Sequence, residues 1–149
     1  LVGFLSTQTT TKVMNTHTAI KLMALIIYGV ILFHLCILIK LIPYNIAWGG
    51  NLKTAQEMYV FESISIAVNL VLLLVICIKG NYIRVTVHPK IINTMLWLFL
   101  ILFILNTLGN VLAQTTFEKC FAVLTLISAI LLSIILFNKS DSKTILKHQ

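Results

Sequence analysis

Residues 59–79 read YVFESISIAVNLVLLLVICIK, a run of ~21 residues. A helix of ~20 predominantly apolar residues crosses the hydrocarbon of a bilayer, so this run is long enough to span. Yet it contains a carboxylate, Glu62, and an amide, Asn69. On a helix, Glu62, Ser65 and Asn69 are spaced by three and four and fall on one face, giving a polar stripe on an otherwise apolar cylinder. An ionisable side chain in a membrane span costs ~3 kcal/mol at mid-bilayer and less near the surface, so Glu62 calls for a partner.

The rest of the chain repeats the pattern. Of its 149 residues 59% are hydrophobic and only 10% are charged, well outside the average for soluble domains. Apolar runs at 20–42, 59–79, 91–113 and 117–137 use most of the length and leave no separate soluble domain. With their capping residues they predict helices over about 20–42, 55–79, 89–113 and 116–137. The expected fold is an all-α membrane protein, an antiparallel bundle of four transmembrane helices. Residues 1–19 are then a peripheral N-terminal segment and 138–149 a polar tail. The first run is too long for a signal-peptide core and is not followed by a cleavage site, so it is expected to stay as a span.

The net charge of +7 invites a nucleic-acid reading, but its distribution explains it otherwise. Lys12, Lys21, Lys79, Arg84, Lys90, Lys139, Lys143 and Lys147 lie on the side shared by the termini and the second loop; Lys40, Lys53 and Lys119 lie on the other. By the positive-inside rule both termini face the cytoplasm, and the loops after the first and third spans face out. The basic residues suit anionic headgroups, which makes membrane lipid the expected partner, with no nucleic acid. A homo-oligomer or a membrane protein partner remains open.

Several polar residues have simple structural explanations. Thr54-Ala55-Gln56-Glu57 is a capping box that opens the second helix, and Thr115-Thr116-Phe117-Glu118 is a second one before the fourth. Gly80 is placed to cap the second helix, and Pro89 suits the first turn of the third. Pro43 is expected to end the first helix, and Gly49 and Gly50 to make a turn. Tyr44, Trp48 and Tyr59 suit the interfacial aromatic belt. On the fourth helix Ala122, Thr125, Ala129 and Ser133 form a small-residue stripe, expected as a packing seam. Cys36, Cys77 and Cys120 make no CxxC pair; Cys36 and Cys120 could meet near the outer surface, although a free buried thiol is the commoner state.

Five residues are left without such an account: His34, Glu62, Asn69, Asn106 and Asn110. Counted inward from the expected outer helix ends at 1.5 Å per residue, His34 and Asn106 lie at ~12 Å, Asn69 at ~15 Å, and Glu62 and Asn110 at ~5 Å. Alternating helix direction brings them to neighbouring depths around a polar pocket in the outer half, and the inner half has nothing comparable. His34 is either a hydrogen-bonding anchor or a proton carrier, ligand contact or base. Asn106, Asn110 and Gln114 recur every four residues, as interhelical glue or pocket lining, with Gly109 beside them allowing close approach. Contact between His34 and Glu62, about one turn apart in depth, is possible but not required. Haem is not expected, since His17, His88 and His148 lie on or beyond the opposite boundary; no metal or other cofactor is expected either.

The runs IPYNIAWGGNLK, EMYVFESISI and LNTLGNVLAQTTFEK resemble a group of small bacterial four-span integral membrane proteins of uncharacterised activity, over residues 14–137. The resemblance implies a bacterial inner-membrane location and assigns no role to any residue. Three functions are then open. The first is a non-enzymatic protein whose outer pocket binds a lipid, small amphiphile or partner helix through His34, Glu62, Asn69, Asn106 and Asn110. The second is a small membrane enzyme with His34 and Glu62 as acid–base pair on an apolar substrate. Third comes a subunit of an oligomeric transporter or channel, because no broken span or polar stripe continues through the inner half.

Overall fold

A computed structural model describes residues 14–44, 52–113 and 116–138. It contains four helices, α1 (Thr16–Leu38), α2 (Ala55–Lys79), α3 (Pro89–Leu112) and α4 (Thr116–Phe137), and no strand among the described residues. Each is long and apolar enough to cross a membrane. The chain is a multi-pass integral membrane protein.

Local chemistry sets the helix ends. Asn15 caps α1, its side chain accepting from the backbone of His17 at 3.1 Å. That cap starts the helix earlier than the apolar run predicts and draws residues 16–19 into the first turn, where Thr16 and Ala19 are buried. The other end also differs from expectation. Lys40 takes a left-handed conformation at φ 61°, Leu41 donates to the Cys36 carbonyl, and Lys40 donates to that of Ile37, which is a Schellman motif. The motif ends α1 at Leu38, before Pro43 is reached.

A capping box opens α2: Thr54 Oγ1 accepts from the backbone of Glu57 at 3.2 Å, and Glu57 Oε2 accepts from those of Thr54 and Lys53. A second Schellman motif closes it. The left-handed residue there is Asn81, at φ 57°, rather than Gly80, whose φ is −82°. Gly80 is the C-cap, as expected, its backbone N–H donating to the Ile76 carbonyl, and it meets a second need: a Cβ on it would lie 2.8 Å from the Tyr82 ring and 3.0 Å from Ile20 Cγ2. At α3, Pro89 follows an N-cap in which His88 Nδ1 accepts from the backbone of Lys90. Trp48, Gly49, Gly50, Gln114 and Thr115, and so the cap expected before α4, lie outside the described residues.

Hydrogen bonds between side chains or to backbone show how the helices run. Lys79 reaches Asn93 at 3.0 Å, joining the end of α2 to the start of α3, and Thr107 reaches Thr125 at 3.0 Å between the late part of α3 and the early part of α4. Asn138 reaches the Met14 carbonyl at 3.4 Å, placing the end of α4 beside the start of α1. Neighbouring helices are therefore antiparallel, and residues 14 and 138 share one end of the bundle. Contacts are densest for α3 with α4 and for α1 with α2, and sparsest among neighbours for α2 with α3.

The main core lies toward the end that carries residues 14 and 138, around Met23, Ile27, Leu72, Ile76, Leu96 and Leu132. Ala122, Thr125 and Ala129 of the α4 stripe are buried, with Ser128 beside them. Toward the opposite end the apolar core is smaller, formed by Ile37, Leu52 and Met58, with Tyr44 packed against it. That thinning leaves room for the polar residues.

Candidate functional site: an imidazole–carboxylate pair beside a cleft

His34 Nδ1 and Glu62 Oε2 lie 2.6 Å apart, between α1 and α2. The shortness of the contact fits a charge-assisted hydrogen bond. The Glu62 side chain is wholly buried, whereas that of His34 keeps 17% of its surface. The expected depth offset does not keep them apart. Because α1 stops at Leu38, His34 is only ~6 Å from its helix end, and because α2 starts at Ala55, Glu62 is ~10 Å from its own. The two helices meet with the side chains level.

Beside the pair is a cleft of about 910 Å³ lined from all four helices. His34, Asn69, Asn106 and Asn110 are on its wall; Glu62 is not. The carboxylate stands behind the imidazole, so a molecule in the cleft would meet His34 and feel Glu62 through it. Phe33 stacks edge-on against the His34 ring at 5.7 Å and limits its rotation from the neighbouring position on α1. With Nδ1 engaged by the carboxylate, Nε2 is the nitrogen left for a ligand, and the arrangement can accept a proton at Nε2 while Glu62 stabilises the resulting imidazolium.

The asparagines behave differently from one another. Asn69 Nδ2 donates to the Ser65 carbonyl of its own helix at 2.8 Å, which leaves the amide oxygen for the cleft. Asn106 is exposed and Asn110 half-buried, and neither bridges to another helix among the described residues. The expected interhelical glue is supplied instead by Thr107, whose Oγ1 bonds both the Phe103 carbonyl at 2.8 Å and Thr125 Oγ1 at 3.0 Å. Thr107 escaped the sequence reading because a threonine that can bond its own helix carries no signal by itself. The clue in the sequence was its place beside Asn106 together with Thr125 in the small-residue stripe of the fourth helix.

The remaining candidates are placed as follows. Glu118, in the first turn of α4, also lines the cleft, so capping does not exhaust its position. The three cysteines are free, and Cys120 is exposed. His17 sits at the far end, where its ring lies 5.8 Å from that of Tyr82. Among the described residues no three His, Cys, Asp or Glu side chains converge as metal ligands would. The chemistry that can be derived from this site is that of the imidazole–carboxylate pair.

No family model matches the chain, and neither a curated protein nor a solved structure is significantly similar to it. The assignment of function therefore rests on the geometry alone.

Proposed function

We propose that this protein is a small membrane enzyme in which His34 transfers protons to and from an apolar substrate held in the cleft. The observation that carries the proposal is the wholly buried carboxylate of Glu62, 2.6 Å from Nδ1 of an imidazole that itself borders the cleft. A carboxylate so placed selects the tautomer with Nε2 free, holds the ring, and offsets the charge that develops when Nε2 takes a proton. Positioned general acid–base catalysis of this kind is worth ~100-fold to 10,000-fold in rate. In this scheme His34 is the catalytic residue and Glu62 a positioning residue. Asn69, Asn106 and Asn110 orient the polar group of the substrate.

We place the protein in a bacterial inner membrane with both termini cytoplasmic, which puts the cleft in the outer half of the bilayer. The charge asymmetry supports this orientation. A second reading, binding without turnover, is favoured by the size of the cleft, which falls within the ~300–1,000 Å³ typical of small-molecule sites.

One experiment separates the two. The full chain is placed in nanodiscs of total membrane lipid, and the lipid fraction is followed by untargeted mass spectrometry for the wild type, His34→Gln and Glu62→Gln. The acid–base reading expects a species consumed and another formed by the wild type, with the rate lost in His34→Gln and reduced in Glu62→Gln with KM little changed. A wild type that retains an unaltered co-purifying molecule would leave binding alone.

A further inference from the structure

The cleft is not uniform, and its differences bear on what it admits. This inference rests on the cleft being the site at which His34 acts. Toward the end near residues 38 and 113 the lining carries Asn106, Asn110 and Glu118 beside Phe117; toward mid-bundle Ile27, Leu72 and Phe99 predominate, with Asn69, Thr125 and Ser128 among them. That gradient matches one molecule with a polar head and an apolar chain.

The two sides of the cleft differ as well. Between α1 and α4, Phe33 packs on Phe117 and Phe121 at ring distances of 6.0 and 5.2 Å, and Phe117 on Phe121 at 5.1 Å, forming an aromatic wall. Between α2 and α3 the contacts are the sparsest of the neighbouring pairs. There Ile64, Val68 and Leu102 line the cleft while 55%, 38% and 40% exposed, and Asn106 beside them is exposed too. Residues that line the cleft and are also exposed mark a place where it reaches the surface of the bundle.

Charge narrows the head. Among the described residues no lysine or arginine lines the cleft, whereas Glu118 does. A phosphate head would seek guanidinium or ammonium partners or a helix N-terminus, and the nearby N-terminal turn of α4 already carries Glu118. Asparagine amides and an imidazole nitrogen instead suit a neutral hydroxyl or amide, which both donates and accepts.

We propose that the cleft takes a single-chain amphiphile with an uncharged, hydrogen-bonding head, a long-chain alcohol, ester or amide, which enters from the bilayer between α2 and α3. Its head meets Asn106, Asn110 and His34, and its chain follows the apolar lining toward Leu72 and Phe99. The cleft, at about 910 Å³, is large enough to take one such chain.

The test uses a long-chain alcohol bearing a diazirine in its chain, irradiated with the full protein in nanodiscs and mapped by peptide mass spectrometry. The expected result is saturable labelling of α2 and α3 around Val68 and Leu102. Monoacylglycerol should compete at a concentration at least ~10-fold below that needed for lysophosphatidic acid, which corresponds to ~1.4 kcal/mol of preference. Gly109→Leu should cut the labelling several-fold, since a Cβ at Gly109 meets nothing within 4 Å and the larger side chain projects into open space. Val68→Trp, at an exposed position in the mouth, gives an independent block should Gly109→Leu fold poorly. Equal or better competition by lysophosphatidic acid, or unsaturable labelling spread over all four helices, would overturn the proposal.

Glu62→Gln in the same nanodiscs separates this inference from the enzymatic one. Saturable labelling with no turnover in the wild type would keep the ligand class and remove the enzyme. Turnover dependent on Glu62 without saturable labelling would do the reverse.

Discussion

Glu62 and His34 each carry a cost that the other offsets. A wholly buried carboxylate inside a span is tolerated when it is hydrogen-bonded, and removing one member of a buried pair takes from the other the charge-assisted bond that offsets its burial. His34→Leu should therefore destabilise the protein on the order of 3 kcal/mol, and the double variant His34→Leu with Glu62→Leu should recover most of that loss. Unfolding of the four proteins of this cycle in mixed detergent reads the coupling directly. Costs that simply add would show that the two side chains are not a unit, and with that the positioning role of Glu62 would be lost. The stability cycle and the lipid-turnover experiment ask different questions, since Glu62→Gln keeps a hydrogen-bonding group where Glu62→Leu does not.

At the scale of the element, two of the four helices end on a non-glycine residue in a left-handed conformation. Lys40 and Asn81 have φ of 61° and 57°, where an L residue ordinarily costs ~1–2 kcal/mol and asparagine rather less. At Lys40 the cost is partly offset, because its ammonium lies 5.5 Å over the Tyr59 ring, a contact worth ~0.5–1 kcal/mol. Asn81 has no comparable contact. Asn81→Ala is expected to lower stability by about 1 kcal/mol while Asn81→Gly does not, as measured by the thermal midpoint in detergent. Equal effects of the two would mean that the left-handed turn is not what holds this end of α2. The register of α1 matters for the site as well. What sets His34 level with Glu62 is the packing of α1 on α2, four residues before α1 ends.

For the whole molecule, the uneven packing of the ring of helices is the feature with consequences. The α1–α2 and α3–α4 hairpins are each tightly joined, α1 closes on α4, and α2 and α3 stay loosely paired, with the cleft reaching the surface of the bundle on that side. The proposed orientation in the membrane rests on charge and is testable without knowing the activity. With eight basic residues on the side of the termini and three on the other, a C-terminal alkaline phosphatase fusion should be silent and a C-terminal green fluorescent protein fusion bright. The opposite pattern would put the cleft in the inner leaflet and remove the argument for an outer-leaflet substrate.

Composition and run length were sufficient to determine a membrane bundle of four helices, because in lipid a spanning chain must satisfy its backbone within each helix and so announces each span as an apolar run. The α2 capping box and Pro89 at the start of α3 were readable because both are local: the box joins residues three apart, and a proline in the first turn gives up an N–H that would have no partner in the helix. Of the candidate site, the polar residues stood out because charges and amides are conspicuous in hydrocarbon. What they do could not be read off. Only the tertiary structure decided that Glu62 stands behind His34 instead of at the cleft, that Thr107 rather than Asn106 or Asn110 joins α3 to α4, and that α2 and α3 are the most loosely paired neighbours. Each of these depends on how far one helix is rotated and shifted against its neighbour. Rotation and shift are set by side-chain packing between distant parts of the chain, about which the periodicity of a single, nearly all-apolar helix says little.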